Sequence, residues 1–236
     1  LKTISITGNN RPEYLKRVVD SIKKNDYTQF DLLCFFLEPN CPENIKIADS
    51  VNFIKTYTQV NHQKLGVRKN PYNALKTVFE FGSEFNVYLE DDSILSPDSF
   101  DLANFYFNLS TKDKYIACAF FNMFKANPSK KTQLFAEQEL SALGFCLFKE
   151  NWNKWFSKYW FDDKISVEQK IGGIGWDWSI RAMMKKYNLK VLTPFLNRSQ
   201  HIGRNKGTHC SPECHDSLFN KHTYCQEKIG DFQVED

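Results

Sequence analysis

The sequence predicts an α/β fold whose N-terminal half is a Rossmann-like, mostly parallel sheet. Two observations carry that expectation. Short apolar strand patterns alternate with helical ones from Thr3 to Glu90, and the last of those strands, Val87-Tyr88-Leu89, runs directly into three acids, Glu90-Asp91-Asp92. Alternation of this kind builds parallel sheets with right-handed crossovers. Open α/β sheets bind ligands outside the carboxyl ends of their strands, where the acidic triplet would lie.

The elements follow in order. Thr3 to Thr7 reads as a strand, and Asn9-Asn10-Arg11-Pro12-Glu13 as a helix start with Pro in the first turn. Leu15, Val18, Val19 and Ile22 keep helical spacing and make one buried face. Phe30 to Leu37 is continuously apolar, as expected of a strand covered on both sides, and Glu38-Pro39-Asn40-Cys41-Pro42 breaks it. A weaker strand, Phe53 to Thr58, leads into a loop from Gln63 to Asn70. Asn70-Pro71 then reads as a second cap-plus-Pro start, with Leu75, Val78 and Phe79 facing inward.

Beyond Pro97 the rhythm changes. Phe100 to Leu109 is helical, Tyr115 to Phe121 and Leu143 to Phe148 are strand-like, and Trp152 to Trp160 and Trp178 to Tyr187 are helical. Val191 to Leu196 reads as the last strand, followed by a polar tail from Ser199. The chain is expected to form a single domain over residues 1–236. Residues 1–98 would be its nucleotide-facing half, and residues 99–236 a mixed α/β, acceptor-facing half. The aromatic series Trp152, Trp155, Phe156, Tyr159 and Trp160 has helical spacing and is expected in the core.

Bulk properties narrow the function classes. A formal net charge of +3 on 236 residues is too small to imply nucleic-acid binding. No apolar stretch approaches ~18 residues, so no transmembrane segment is expected in this chain. The chain begins with Leu rather than Met and reads as trimmed from a longer parent that could carry an anchor. Seven cysteines cannot all pair, and Cys34, Cys118 and Cys146 lie in apolar runs. They read as buried thiols in a reducing compartment, the cytoplasm.

The candidate chemistry starts at the triplet. Adjacent carboxylates repel unless a cation neutralises them, and hard oxygen ligands suit Mg²⁺ or Mn²⁺, which can hold a diphosphate. With Ser93 and Pro97 following, the same residues would also make a solvated acidic turn. The turn from Thr7 to Arg11 opens a helix, whose N-terminus favours anions, and Arg11 can add a charge-assisted bond to phosphate or to a base carbonyl. Glu38, at the end of the second strand, would meet the base or ribose by the same geometry. Asp177 sits near a helix start between Trp176 and Trp178, either as an N-cap or as a general base. His201 precedes the basic glycine loop Gly203-Arg204-Asn205-Lys206-Gly207, which is suited to folding over phosphates, and is expected to reach the metal or the diphosphate. His209, His215 and His222 with Cys210, Cys214 and Cys225 leave a structural zinc or a disulfide open, although the spacing fits no standard zinc pattern.

Taken in order, these residues resemble the GT-A-fold glycosyltransferases, and among them the N-acetylglucosaminyltransferase I type. The resemblance rests on Glu90-Asp91-Asp92 with Ile94, Pro97 and Phe100, and on Thr7-Gly8-Asn9-Asn10-Arg11-Pro12. It continues through Leu143-Gly144-Phe145, Trp176-Asp177-Trp178 with Arg181, and Ser199, Gly203-Arg204 and Gly207. The family pattern has two Asp between its tryptophans where this chain has one; counting back from Arg181 aligns Asp177 with the catalytic one.

The resemblance implies a metal-dependent, inverting transfer of a sugar from a nucleotide-sugar donor, a UDP-sugar, to a glycan or other hydroxyl acceptor. It implies Asp92 as the ligand of Mn²⁺ or Mg²⁺, Glu90 and Asp91 on ribose or metal-bound water, and Asp177 as the base. Thr7, Asn9, Arg11, Gly66, Arg68, Gly144 and Arg204 would contact the donor. Two rival readings differ in class. A sugar nucleotidyltransferase would show a Gly-rich basic loop after the first strand, where this chain has a single Gly and one Arg. A non-catalytic glycan-binding module would use the Trp-rich segment as its platform.

Overall fold

The computed structural model describes residues 1–123, 127–173, 175–205, 211–219 and 222–235. Its first half alternates β1 (Lys2–Gly8), α1 (Pro12–Lys23), β2 (Leu32–Leu37), α2 (Pro42–Asp49), β3 (Thr56–Val60), α3 (Gly66–Glu80) and β4 (Phe85–Glu90). The expected rhythm is present, with Pro12 and Pro42 each opening a helix where its missing N–H costs nothing. Strand β2 reads LLCFFL because both of its faces are covered. Leu33 and Phe35 pack with Ile4, Leu15 and Val18 under α1, whereas Cys34 and Phe36 pack with Leu75 and Val78 of α3.

The second half supplies β5 (Ser93–Leu95), α4 (Ser99–Asn108), β6 (Cys118–Ala119), β7 (Gln133–Glu137) and β8 (Phe145–Phe148). A helical run follows, made of α5 (Lys149–Asn151), a π-helical stretch Trp152–Phe156 and α6 (Ser157–Tyr159). It leads to α7 (Asp163–Glu168), α8 (Trp176–Lys186), β9 (Val191–Pro194), β10 (Ser199–His201), α9 (Pro212–Leu218) and β11 (Gln233–Val234). Nine strands join in one sheet of order β11-β7-β9-β6-β8-β4-β1-β2-β3. It is parallel from β3 through β4; β8 then pairs antiparallel with both β4 and β6. No helix among the described residues is long and apolar enough to cross a membrane.

The order of strands creates a switch point. The chain steps from β1 to β2 and β3 on one side, then α3 carries it back so that β4 lies on the other side of β1. A crevice therefore opens at the carboxyl ends of β1 and β4, where Thr7 is level with Glu90.

Several elements differ from expectation. Helix α3 starts at Gly66, so Pro71 lies inside it and Asn70 is not a cap. Asn70 is buried and donates to Phe36 O at 3.0 Å. Glu38 takes over the capping from a distance: its carboxylate accepts the N–H groups of Leu65 (2.9 Å) and Gly66 (2.6 Å). Helix α1 has no side-chain cap, and Arg11 directly precedes it. The strand expected over Tyr115 to Phe121 shrinks to Cys118–Ala119. Val191–Pro194 is not the last strand, because the polar segment Ser199–His201 pairs antiparallel with β5, and β11 pairs with β7. The Trp152 helix is π-wound through its centre. Trp152, Phe156 and Trp160 are buried as expected, while Trp155 is only partly so.

The β5–β10 ribbon is held by a fully buried ion pair. Arg198 Nε lies 2.9 Å from Asp98 Oδ1, with both side chains at 0% exposure. The remaining guanidinium nitrogens donate to Leu196 O and Lys131 O, each at 2.6 Å. Backbone bonds from Ser96 N to Arg198 O (3.0 Å) and from Ile202 N to Asp92 O (2.8 Å) continue the ribbon past both ends.

Candidate active site

A cleft of about 300 Å³ lies at the switch point. Thr7, Asn9, Arg11, Glu38, Gly66, Glu90 and Asp91 line it, together with Lys64 and Asn70. Seven residues singled out from the sequence thus share one wall system. They come from the end of β1 and the turn after it, the end of β2, the start of α3 and the end of β4. Thr7 Oγ1 bonds Tyr88 OH at 2.8 Å, tying the ends of β1 and β4 together. The Asn9 N–H donates to Asp91 Oδ2 at 2.8 Å. Arg11 turns its guanidinium onto the triplet, with Nη1 2.5 Å from Asp92 Oδ2 and Nη2 on Asp91 Oδ1.

The three acids occupy distinct surroundings. Glu90 is pushed up to about 8, by burial first and then by the charges of Asp92 and Asp91, with Asp177 adding to the push. Asp91 is pushed up to about 6 by burial, which outweighs the opposing charge of Arg11. Asp92 goes the other way. Burial raises it, but the His201 hydrogen bond and the Arg11 charge together hold it below the usual carboxylate range. At neutral pH Asp92 and Asp91 are therefore the ionised members of the triplet, and Glu90 is mostly protonated.

His201 stands beside Asp92, Nε2 to Oδ2 at 3.2 Å, because β10 places it level with Ser93 of β5. Its ring packs against Phe219 at 4.5 Å and His215 at 5.0 Å, and His215 Nε2 lies 3.2 Å from His201 O. Gly203 passes so close that a Cβ there would collide with Asp92 Oδ2 and His201 Nε2. Asp92 Oδ1 is buried with no hydrogen-bond partner among the described residues. A carboxylate with an unspent oxygen, an imidazole on its flank and a side-chain-free approach from Gly203 form a donor set that fits Mn²⁺ or Mg²⁺ completed by phosphate oxygens. Among the described residues no three His, Cys, Asp or Glu side chains converge as a metal cage.

Asp177 lies in the first turn of α8, its Oδ1 2.7 Å from where a Cβ on Gly175 would be. It lines a second cavity of about 270 Å³ with Phe121, Leu143, Trp178 and Arg181. The aromatic core carries it there: Trp176 stacks on Trp160 at 4.3 Å and meets Tyr88 of β4 edge-on at 6.4 Å. The charge of Asp177 reaches Glu90 weakly, adding to the upward push on it, and the two cavities share no lining residue.

Three residues expected at the donor do not line the cleft. Arg68 forms a bidentate pair with Asp163 of α7, both bonds 2.8 Å, and is not among the residues lining the cleft. Arg204 is exposed and pairs with Asp216 of α9 at 2.9 Å. Gly144 adopts a left-handed φ of 94° wedged between Phe120 and Leu89, a packing position at the start of β8. Lys206, Gly207, His209 and Cys210 lie outside the described residues, so the rest of the glycine loop and part of the expected zinc or disulfide set lie there too. Cys214 and Cys225 are free thiols. The Asp98–Arg198 pair and the Asn61–Glu38 contact (3.3 Å) were not singled out from the sequence. Their partners are 100 and 23 residues apart, and no local pattern announces either.

No family model matches the chain, and no curated protein matches it. Solved structures do. S. aureus TarS (residues 1–349) in complex with UDP-GlcNAc aligns with a TM-score of 0.60 at 12% identity, over 89% of this chain and 60% of that one. An active-site mutant of LgtC aligns at 0.53 and 12% identity, over 92% and 82%. The mannosyltransferase PcManGT from Pyrobaculum calidifontis, in complex with GDP-Man and Mn²⁺, aligns at 0.51 and 14% identity, over 82% and 54%. This chain has the GT-A fold. It spans little more than half the length of PcManGT and three fifths of the TarS chain.

Proposed function

We propose that the protein is a metal-dependent, inverting glycosyltransferase of the N-acetylglucosaminyltransferase I type, moving a sugar from a UDP-sugar to a hydroxyl of a glycan acceptor. One observation carries this reading: at the carboxyl ends of β1 and β4 a cleft lined by Arg11, Glu38, Glu90 and Asp91 lies next to the Arg11–Asp92–His201 contacts, in a chain with the GT-A fold. The second cavity, lined by Asp177 and Trp178, would take the acceptor.

The roles follow from position. The Thr7–Arg11 turn and Gly66 bound the nucleotide side of the cleft. Arg11 and Lys64 bring positive charge to a diphosphate. Asp92 and His201 would hold the ion, which when bound supplies Lewis-acid stabilisation of the departing diphosphate. Asp177 accepts the proton of the acceptor hydroxyl as that oxygen attacks the anomeric carbon and the bond to the diphosphate breaks. Attack from the face opposite the leaving group inverts the centre. A reducing compartment, the cytoplasm, suits the buried free thiols Cys34, Cys118 and Cys146.

Calorimetry with UDP, with and without Mn²⁺, tests the donor side. Binding that requires the metal supports the reading. UDP binding of equal strength in EDTA, or none in Mn²⁺, rejects it.

A further inference from the structure

We infer that Arg11 is an internal counter-cation for the metal ligands: without a divalent ion its guanidinium holds Asp91 and Asp92, and it gives up Asp92 to the ion and turns to the donor's diphosphate. This rests on Asp92 and His201 being the metal ligands.

The geometry makes the exchange necessary. Arg11, Asp91 and Asp92 have side chains only 13%, 2% and 5% exposed, so their ion pairs are little screened by water. Asp92 Oδ2 already faces two donors, Arg11 Nη1 at 2.5 Å and His201 Nε2 at 3.2 Å. If Asp92 and His201 held a divalent ion, its charge would fall near that guanidinium, and two cations close together repel strongly in a desolvated site. Arg11 can move without being stranded. It lines the open cleft, and its Nε is buried with no hydrogen-bond partner among the described residues, so its bonding capacity is not exhausted. Arg198, by contrast, lines neither of the two cavities and is fully buried, so it has no open space to turn into. Together the triplet and Arg11 still carry an excess of negative charge when ionised, which favours a second cation over an empty site.

The consequence is linkage. Metal alone must displace Arg11 with no new partner for it, whereas metal with a diphosphate gives Arg11 one. Each ligand then strengthens the other by the same factor.

Mn²⁺ titration calorimetry without nucleotide, on wild type, Arg11→Gln and Arg11→Lys, tests this. Arg11→Gln should bind Mn²⁺ alone about tenfold more tightly than wild type, a size ordinary for coupling between sites. It should also bind UDP more weakly at saturating Mn²⁺. Arg11→Lys, which keeps the charge but loses the fork, should fall between. A purely structural arginine predicts the opposite sign, weaker metal binding in both variants. Folded Arg11→Gln with unchanged or weaker Mn²⁺ affinity overturns the inference. If that variant does not fold, Arg11→Lys binding Mn²⁺ no more tightly than wild type does so instead. Wild type that binds no Mn²⁺ even with UDP rejects the donor-site reading and this inference together, whereas metal-dependent UDP binding with no gain in the variants rejects this inference alone.

Discussion

Replacing Asp98 by Ala should destabilise the protein by about 3–5 kcal/mol, the range found when one partner of a buried pair is removed. Arg198 would be left at zero exposure with only the Leu196 and Lys131 carbonyls, neither of which balances its charge. For a chain of this length each kcal/mol lowers Tm by roughly 2–4 °C, so a fall of roughly 6–20 °C is expected. Urea unfolding followed by circular dichroism measures the free energy, and a thermal melt gives Tm. The damage should reach the site, because Arg198 O receives Ser96 N and the ribbon beyond it sets Asp92 beside His201. Mn²⁺–UDP affinity should therefore fall even at temperatures where the variant is folded. The double variant Asp98→Leu with Arg198→Met removes both charges and should recover most of the stability. A cost below about 1 kcal/mol for Asp98→Ala would refute the view that this pair locks the ribbon.

Three other perturbations probe separate parts of the site. Asp177→Asn should lower transfer by about 10²–10⁴-fold in a product assay while leaving Mn²⁺–UDP affinity unchanged; loss of UDP binding along with turnover would remove Asp177 as the base. Glu38→Ala strips the charged acceptor from the start of α3 and should cost about 1–3 kcal/mol, with faster hydrogen exchange at the Leu65 and Gly66 amides; unchanged exchange there would contradict the capping role. In EDTA, Glu90 and Asp91 are protonated more readily in the folded state than in the unfolded chain, with values near 8 and 6. The stability they contribute is present below their unfolded values and is lost as pH rises through 6 and 8. Wild type should therefore lose more Tm than Glu90→Gln between pH 5.5 and 8, and an equal loss in the two would argue against a strained Glu90.

Much of the framework of the first half was legible because its signals are local. The Leu15-Val18-Val19-Ile22 face, the two-sided strand around Phe35, and the acids at the end of β4 each follow from spacing within one element. The remainder depends on pairings between distant segments. Ser199–His201 is polar and is made a strand only by backbone bonds to β5, so no side-chain pattern marks it. Asn70-Pro71 looks like a helix start, yet Glu38, 27 residues before Leu65, sets the start earlier. Arg68 reads as a basic loop residue until Asp163, 95 positions away, claims it. In the second half β6 is two residues long, too short for alternation to be seen.

Asp92 is proposed to hold an ion with which the chain breaks a nucleotide-sugar bond. The most direct measurement is mass spectrometry of wild type and Asp92→Asn incubated with a panel of nucleotide sugars, a glycan acceptor mixture and Mn²⁺, following both nucleoside diphosphate and glycosylated product. Wild type should release UDP from one UDP-sugar with product of inverted configuration, EDTA should stop it, and Asp92→Asn should be inactive. Turnover of a nucleotide sugar that persists in EDTA and in Asp92→Asn would contradict that role of Asp92.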